Sequence, residues 1–161
     1  MKPFALTLAL IVVAARPALP QEAIYLVRHA EREDASPDSK LSAAGETRAV
    51  RLAEWLRTAR ITHIYTSEFR RTIQTAAPFA AASHLSPQQT PASDRAALTT
   101  RVGALGEHDR ALVVGHSNTI PELIRALGVT TPVAIPDTEF DNIFIVVPRK
   151  DAEPVLLRFK Y

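Results

Sequence analysis

Three short apolar runs in this 161-residue sequence end in residues able to handle an anion. Residues 23–27 lead into Arg28, His29 and Glu31. Residues 61–66 lead into Ser67, Glu68, Arg70 and Arg71, and residues 111–115 into His116, Ser117 and Asn118. Guanidinium forks bind oxyanions bidentately and neutralise them. A neutral imidazole, with a pKa near working pH, can act as a nucleophile or a proton carrier. Together, two histidines and at least two arginines would gather where these runs end. Each piece alone has a plainer reading. An Arg-His pair at a strand end reads as a surface pair, Arg70-Arg71 as a solvated helix face, and His116 after a glycine as a capped turn. Their joint occurrence, in this order, carries the functional reading. Metal binding by His29 and His116 is the rival chemistry, and no third histidine or carboxylate stands at the spacing that metal sites use. His63, His84 and His108 have no motif around them and read as surface or core residues.

Arg28 and His116 are 88 positions apart, so the fold must lay the apolar runs side by side. Residues 23–28 form a continuous apolar run ending in arginine, which suits a strand buried on both faces of a parallel sheet. A polar loop at 31–40 follows. Ser42 is placed to cap a helix over 43–59, with Glu46 near its first turn and Ala49, Leu52, Ala53 and Leu56 at three- and four-residue spacing. Residues 61–66 read as a second strand and 68–82 as a helix interrupted near Pro78. Residues 83–93 read as a loop with at most a short strand. A helix at 94–105, a third strand at 111–115 and a helix at 118–127 ended by Gly128 come next. After a loop at 129–138, strands at 143–147 and 155–159 form a hairpin turning around 148–154. Helices after most strands predict an α/β fold, a three-layer sandwich with a mostly parallel central sheet. Ligands bind such sheets at the carboxyl ends of the strands, where the histidines and arginines fall.

Composition narrows the alternatives. Hydrophobic residues at 47% and charged residues at 22% are ordinary for a globular domain and exclude a disordered or collagen-like chain. The net charge of +2 reflects 19 basic against 17 acidic residues, with no dense basic patch, and aromatics are only 6%. Neither feature fits a nucleic-acid partner. Cysteine is absent, which excludes disulfides, thiolate catalysis and cysteine–zinc sites.

With these residues assembled, the sequence resembles the histidine phosphatase (phosphoglycerate mutase-like) superfamily, as a small, short-domain member, over residues 23–147. Leu26-Val27-Arg28-His29-Ala30-Glu31 is similar to the family's RHG signature, with alanine in place of glycine. Residues 66–76 resemble its second arginine motif, in which the arginine followed by a small residue is the phosphate ligand, here Arg71 rather than Arg70. Val113-Val114-Gly115-His116-Ser117-Asn118 is similar to the motif of the second histidine. Leu41-Ser42 with Gly45 resembles the turn that opens the first helix. The resemblance implies a phosphomonoester hydrolase in which His29 is the nucleophile and forms a phosphohistidine that water hydrolyses. It makes Arg28, Arg71 and His116 ligands of the phosphoryl oxygens, stabilising their charge in the transition state. Ser117 joins them where a helix begins, whose free N–H groups add an anion site. The scheme requires no metal and no cofactor.

The general acid that protonates the leaving oxygen is less marked. In one branch of the superfamily it directly follows the second histidine; Ser117 occupies that position here. In the other branch it is a carboxylate between the second arginine motif and the next strand, where Asp94 lies. Asp94 is the first choice, with Glu31 and Glu139 as alternatives. Mutase-like members often carry asparagine six residues after the nucleophile; this chain has Ala35 there and lacks long insertions to enclose a sugar phosphate. Both features favour a phosphatase acting on a small phosphorylated substrate over a mutase. A binding module that captures a phosphorylated ligand without turnover is the rival from another class. The pocket walls fall to the loops at 31–40, 83–93 and 129–140.

Residues 1–20 carry Lys2, an apolar run from Phe4 to Ala15, then small residues and prolines. This is the pattern of a secretory signal peptide, with the run too short to span a bilayer. The expected organisation is a signal peptide at 1–20 and a phosphatase domain at 21–161. The expected location is periplasmic or secreted, without stable membrane insertion after cleavage. Small family members that dephosphorylate phosphohistidine on proteins act in the cytoplasm, so an exported chain would not meet that substrate.

Overall fold

A computed structural model describes residues 22–161; the stretch read as a signal peptide lies outside the described residues. The chain forms β1 (Ala23–Arg28), α1 (Ala43–Leu56), β2 (His63–Thr66), α2 (Arg70–Ser83) and β3 (Gln88–Gln89). It continues through α3 (Arg95–Gly103), β4 (Arg110–Gly115), α4 (Thr119–Ala126), β5 (Asn142–Arg149) and β6 (Ala152–Lys160). The strands make one sheet in the order β3-β2-β4-β1-β5-β6. The first four are mutually parallel, while β5 and β6 are antiparallel additions at one side.

Alternation along the strands explains the layers, because successive side chains leave opposite faces of a sheet. Val27, Ile64, Leu112, Val114 and Ile143 pack under Leu52 and Leu56 of α1 and Ala76, Phe79 and Ala80 of α2. Leu26, Tyr65, Val113, Phe144 and Val146 face the other way, against Val102 of α3 and Ile120, Leu123 and Ile124 of α4. The result is the expected three-layer sandwich with a mostly parallel sheet. β1 and β4 are central and buried on both faces, which is why their sequences read as continuous apolar runs.

Ser42 caps α1 as expected, its Oγ accepting from the Gly45 N–H at 3.1 Å. Three expectations need correction. The helix over α2 is not interrupted at Pro78 but runs through it. Proline there removes one N–H bond to the preceding turn, and Ala76, Phe79 and Ala80 on the core side hold the helix against that loss. The hairpin does not turn over 148–154. Its strands extend through both prolines and turn at Lys150 and Asp151, the latter at φ 57°. Pro148 sits where the register shifts, and Pro154 lies on an edge strand; these are positions at which a missing N–H is tolerated. Asp94 precedes α3 as its cap instead of opening the helix.

One glycine fixes how closely α1 approaches the end of β1. A Cβ on Gly45 would collide with the backbone oxygen of Glu31. The same Glu31 carbonyl accepts from the Ser42 N–H at 3.0 Å. The helix start is thereby tied to the loop that follows His29.

Candidate active site

The parallel register of β1 and β4 sets Arg28 opposite Gly115, and the His29 N–H donates to the Gly115 carbonyl at 2.9 Å. The next residue on each strand is a histidine. The His29 and His116 rings consequently lie with centroids 5.3 Å apart, edge to face at 64°. Thr66 pairs with Val114 one strand over, which brings Ser67 alongside, 3.1 Å from His116 Nε2. Ser67 Oγ also lies 2.9 Å from Thr72 Oγ1 and accepts from the Phe69 N–H at 3.3 Å. The serine and threonine of the second arginine motif thus hold the second histidine.

His29 is 4% exposed. Its Nδ1 lies 2.7 Å from the Ala30 carbonyl oxygen. A carbonyl only accepts, so Nδ1 carries the proton and Nε2 the lone pair. Burial lowers the His29 pKa to about 3, against the raising effect of the Ala30 carbonyl, and the charges of His116, Arg71 and Arg28 lower it further. Burial and the Arg71 charge similarly push His116 down to about 4, with Glu68 opposing. Both rings are neutral at neutral pH.

The arginines are held from behind. Arg28, 7% exposed, donates from Nη1 to the carbonyls of Pro136 at 3.0 Å and Glu139 at 3.3 Å, with its guanidinium carbon 4.2 Å from the Phe140 ring centre. Arg71 donates from Nη1 to the Pro37 carbonyl at 2.6 Å and lies 4.2 Å over Phe69. Each keeps a buried Nε with no hydrogen-bond partner. Burial lowers both pKa values, and Asp137 works against this at Arg28; a guanidinium stays protonated regardless. Arg70 points elsewhere in role: its backbone N–H is capped by Asp38 Oδ1 at 2.8 Å, and its side chain is exposed.

A pocket of about 330 Å³ brings together Arg28, His29, Arg71, His116 and Ser117, with Arg32, Ala92 and Asp137 contributed by the three loops expected to form its walls. Asp94 is not among its lining residues. It lines an adjoining cavity, and its Oδ1 accepts from the Ala97 N–H at 3.0 Å as the cap of α3. The two alternatives for the acid are occupied elsewhere. Burial works to raise the Glu31 carboxyl, yet paired hydrogen bonds from Arg48 at 2.6 and 2.9 Å bring it below its usual value. Glu139 is held low by Asn142 and Lys160 and pairs also with Arg158.

Sequence reasoning passed over Asp137, Arg32, Phe69 and Phe140. Asp137 is the one carboxylate lining the pocket among the described residues, 3.5 Å from Arg28 Nη2 and accepting from Ser117 Oγ at 3.3 Å. Nothing around it in sequence marks it. Phe69 could have been found as the aromatic two residues before the motif arginine. Alanine in the signature's glycine position also has a reason. Ala30 is fully buried against Leu41 and Ala49, and its N–H donates to Thr75 Oγ1 at 2.9 Å.

The arrangement defines an α/β sandwich with a cationic pocket of two neutral histidines, a buried arginine and a half-buried one at the carboxyl edge of its sheet. Residues 24–94 match the model of the histidine phosphatase superfamily (branch 1), a span that includes both arginine motifs and ends at Asp94. Solved structures share the fold at low identity. SixA from Agrobacterium tumefaciens is 21% identical with a TM-score of 0.63, covering 84% of this chain and 97% of its own. The mycobacterial glucosyl-3-phosphoglycerate phosphatase is 16% identical with a TM-score of 0.67, covering 87% and 98%. The phosphoserine phosphatase of Entamoeba histolytica is 16% identical with a TM-score of 0.66, covering 86% and 96%. No protein of curated function matches the sequence. Over residues 24–94 the chain thus resembles the histidine phosphatase superfamily, and its fold is that of small phosphoglycerate mutase-like phosphatases.

The two depressed histidine pKa values predict an acid-sensitive fold. Above the ordinary value near 6.5, both rings are neutral in the folded and unfolded chain and stability is full. As pH falls below that, the unfolded chain takes up protons that the folded chain refuses until about 4 to 3, so stability falls through this window. Urea unfolding should show a midpoint that drops between pH 6.5 and 5, above the range of most carboxylates, and His116→Gln should flatten the drop. A wild-type midpoint constant over that interval would contradict the assignment.

Proposed function

We propose that this protein hydrolyses phosphomonoesters through a phosphohistidine formed on His29. The observation that carries the reading is the pair of guanidinium groups, each with an unpartnered Nε, beside a buried imidazole whose Nδ1 proton is committed to Ala30. Arg28, Arg71 and His116 bind and neutralise the phosphoryl group, and Ser117 adds a contact where α4 begins. His29 Nε2 attacks phosphorus in line with the leaving oxygen, and the P–O bond to the alcohol breaks as the P–N bond forms. Water then attacks phosphorus, giving its proton to the carboxylate that had protonated the alcohol, the P–N bond breaks, and inorganic phosphate leaves. The arginines hold the equatorial oxygens throughout, where charge spreads in the transition state.

Several comparisons agree with a phosphoryl ligand. SixA has been captured with tungstate, and the mycobacterial phosphatase with VO3 and with inorganic phosphate. The compact chain, with Ala35 where mutase-like members often have asparagine, favours hydrolysis over phosphoryl return. Hydrolysis of p-nitrophenyl phosphate by the mature domain, with a chelator present, is the test. Turnover is expected to survive the chelator and to vanish in folded His29→Ala. Binding of phosphate without turnover in the wild type would instead identify the non-catalytic module that captures a phosphorylated ligand.

Asp94 is the proposed general acid. It stands on the segment after β3, beside Ala92, which lines the phosphoryl pocket. Asp137, ion-paired with Arg28, is the second reading, favoured by its place in the pocket wall. Loss of a general acid slows poor leaving groups more than good ones. Asp94→Asn should therefore reduce alkyl phosphate hydrolysis by about 10²-fold or more while sparing p-nitrophenyl phosphate. Equal slowing of both substrates, with the differential pattern appearing in Asp137→Asn, would transfer the role.

The proposal includes export, supported by Lys2 and the apolar run from Phe4 to Ala15. Expression of the full chain should yield a processed protein outside the cytoplasm whose N-terminus lies between Arg16 and Glu22. Recovery of intact cytoplasmic chain would overturn it.

A further inference from the structure

A second cavity, of about 220 Å³, opens between α3 and α4 and shares Ala92, His116 and Thr119 with the phosphoryl pocket. Its character differs from that of its neighbour. Tyr65, Leu98, Val113 and Leu123 give it apolar walls, where the phosphoryl pocket is lined by arginine and histidine. Thr66 and Thr90, both 3% exposed, belong to the wall and carry buried hydroxyls with no hydrogen-bond partner. Their backbones are already joined, the Thr90 N–H donating to the Thr66 carbonyl at 2.9 Å. The Arg95–Glu122 ion pair, 2.9 Å long and partly exposed, stands at the rim and satisfies its own charges. Phosphoryl binding uses none of these groups.

We propose that this cavity receives the alcohol portion of the substrate, and that this alcohol is compact and mostly apolar, an aryl or branched alkyl group bearing at most one or two polar substituents. The inference rests on the phosphatase reading for its phosphoryl anchor. A phosphomonoester anchored between the two arginines projects its leaving group out of that pocket, and the shared wall at His116 and Thr119 leads directly into the cavity. Asp94, the proposed acid, lines the same cavity, two residues from the shared Ala92. The volume is below the ~300–1,000 Å³ of drug-sized ligand sites, so the occupant is small. A polyol is disfavoured because each hydroxyl taken from water into an apolar wall needs a partner. The unpartnered hydroxyls of Thr66 and Thr90 lie within the wall and offer partners for a substituent or two, with Thr99 and Arg125 also in the lining.

Two phosphonates that cannot be hydrolysed separate the cavity from the anchor. Calorimetry on the mature domain should find phenylphosphonate binding about ten-fold or more tighter than methylphosphonate, from the apolar surface it buries. Thr99→Phe, which fills the cavity from α3, should bring phenylphosphonate down to the methylphosphonate affinity and leave methylphosphonate unchanged. Ala126→Trp does the same from the exposed side of α4 and serves if the first variant fails to fold. Equal affinity of the two probes in the wild type, or a phenyl preference that survives both substitutions, would overturn the cavity assignment while methylphosphonate binding keeps the anchor. Failure of both probes to bind would overturn the anchor and the cavity together. A phenyl preference in a protein without turnover would support the cavity and reject the hydrolase.

Discussion

The site depends on one register. β1 and β4 pair in parallel with Arg28 opposite Gly115, so the two strands end level and each passes directly into a histidine. A slip of one residue would send every side chain to the opposite face of the sheet. It would bury Arg28 where Val27 now packs and separate the imidazoles. The register is held by burial: Leu26 and Val113 face one layer of helices while Val27 and Val114 face the other. The apolar patterning that forms the core is therefore also what sets the geometry of the candidate site.

Burial then decides the charge states. Imidazoles near solvent would be partly protonated around pH 6.5, and a protonated ring is no nucleophile. Sequestering His29 beside two guanidiniums removes that possibility, since desolvation and like charge both disfavour the imidazolium. The arginines tolerate the same environment because guanidinium keeps its proton, because aromatic faces lie against them, and because backbone carbonyls accept from their Nη1 atoms. Acid sensitivity of the fold is the thermodynamic counterpart of this arrangement.

The two cavities divide the work expected of a phosphoester site. One is polar and cationic, built from strand ends and loops. The other is apolar, built from the inner faces of α3 and α4 with the hydroxyls of Thr66 and Thr90 in its wall. They meet at His116, which Ser67 and Thr72 hold in place. On the proposed reading, the phosphoryl group and its alcohol meet these two different linings.

Much of this was legible in the chain. The apolar runs marked β1, β2 and β4, and the residues ending them marked Arg28, His29, Arg71 and His116, because buried parallel strands leave continuous apolar signatures and their carboxyl ends are where ligands sit. Ser42 announced the start of α1 through capping, whereas the close approach that requires Gly45 came from the assembled fold. Pro148 and Pro154 misled, since proline breaks central strands but is tolerated at a register shift and on an edge, and edge position is a property of the assembled sheet. Asp137 lies 109 positions from Arg28, in a loop whose course no local pattern sets. Glu31 and Glu139 looked available until Arg48, Arg158 and Lys160 were found against them. The sequence alone determined which chemical groups the strands deliver to one edge, because periodicity and motif spacing are local. Only the tertiary structure decided which carboxylates are already paired, how deeply the histidines are buried and what cavity adjoins them, because those depend on contacts between segments distant in the chain.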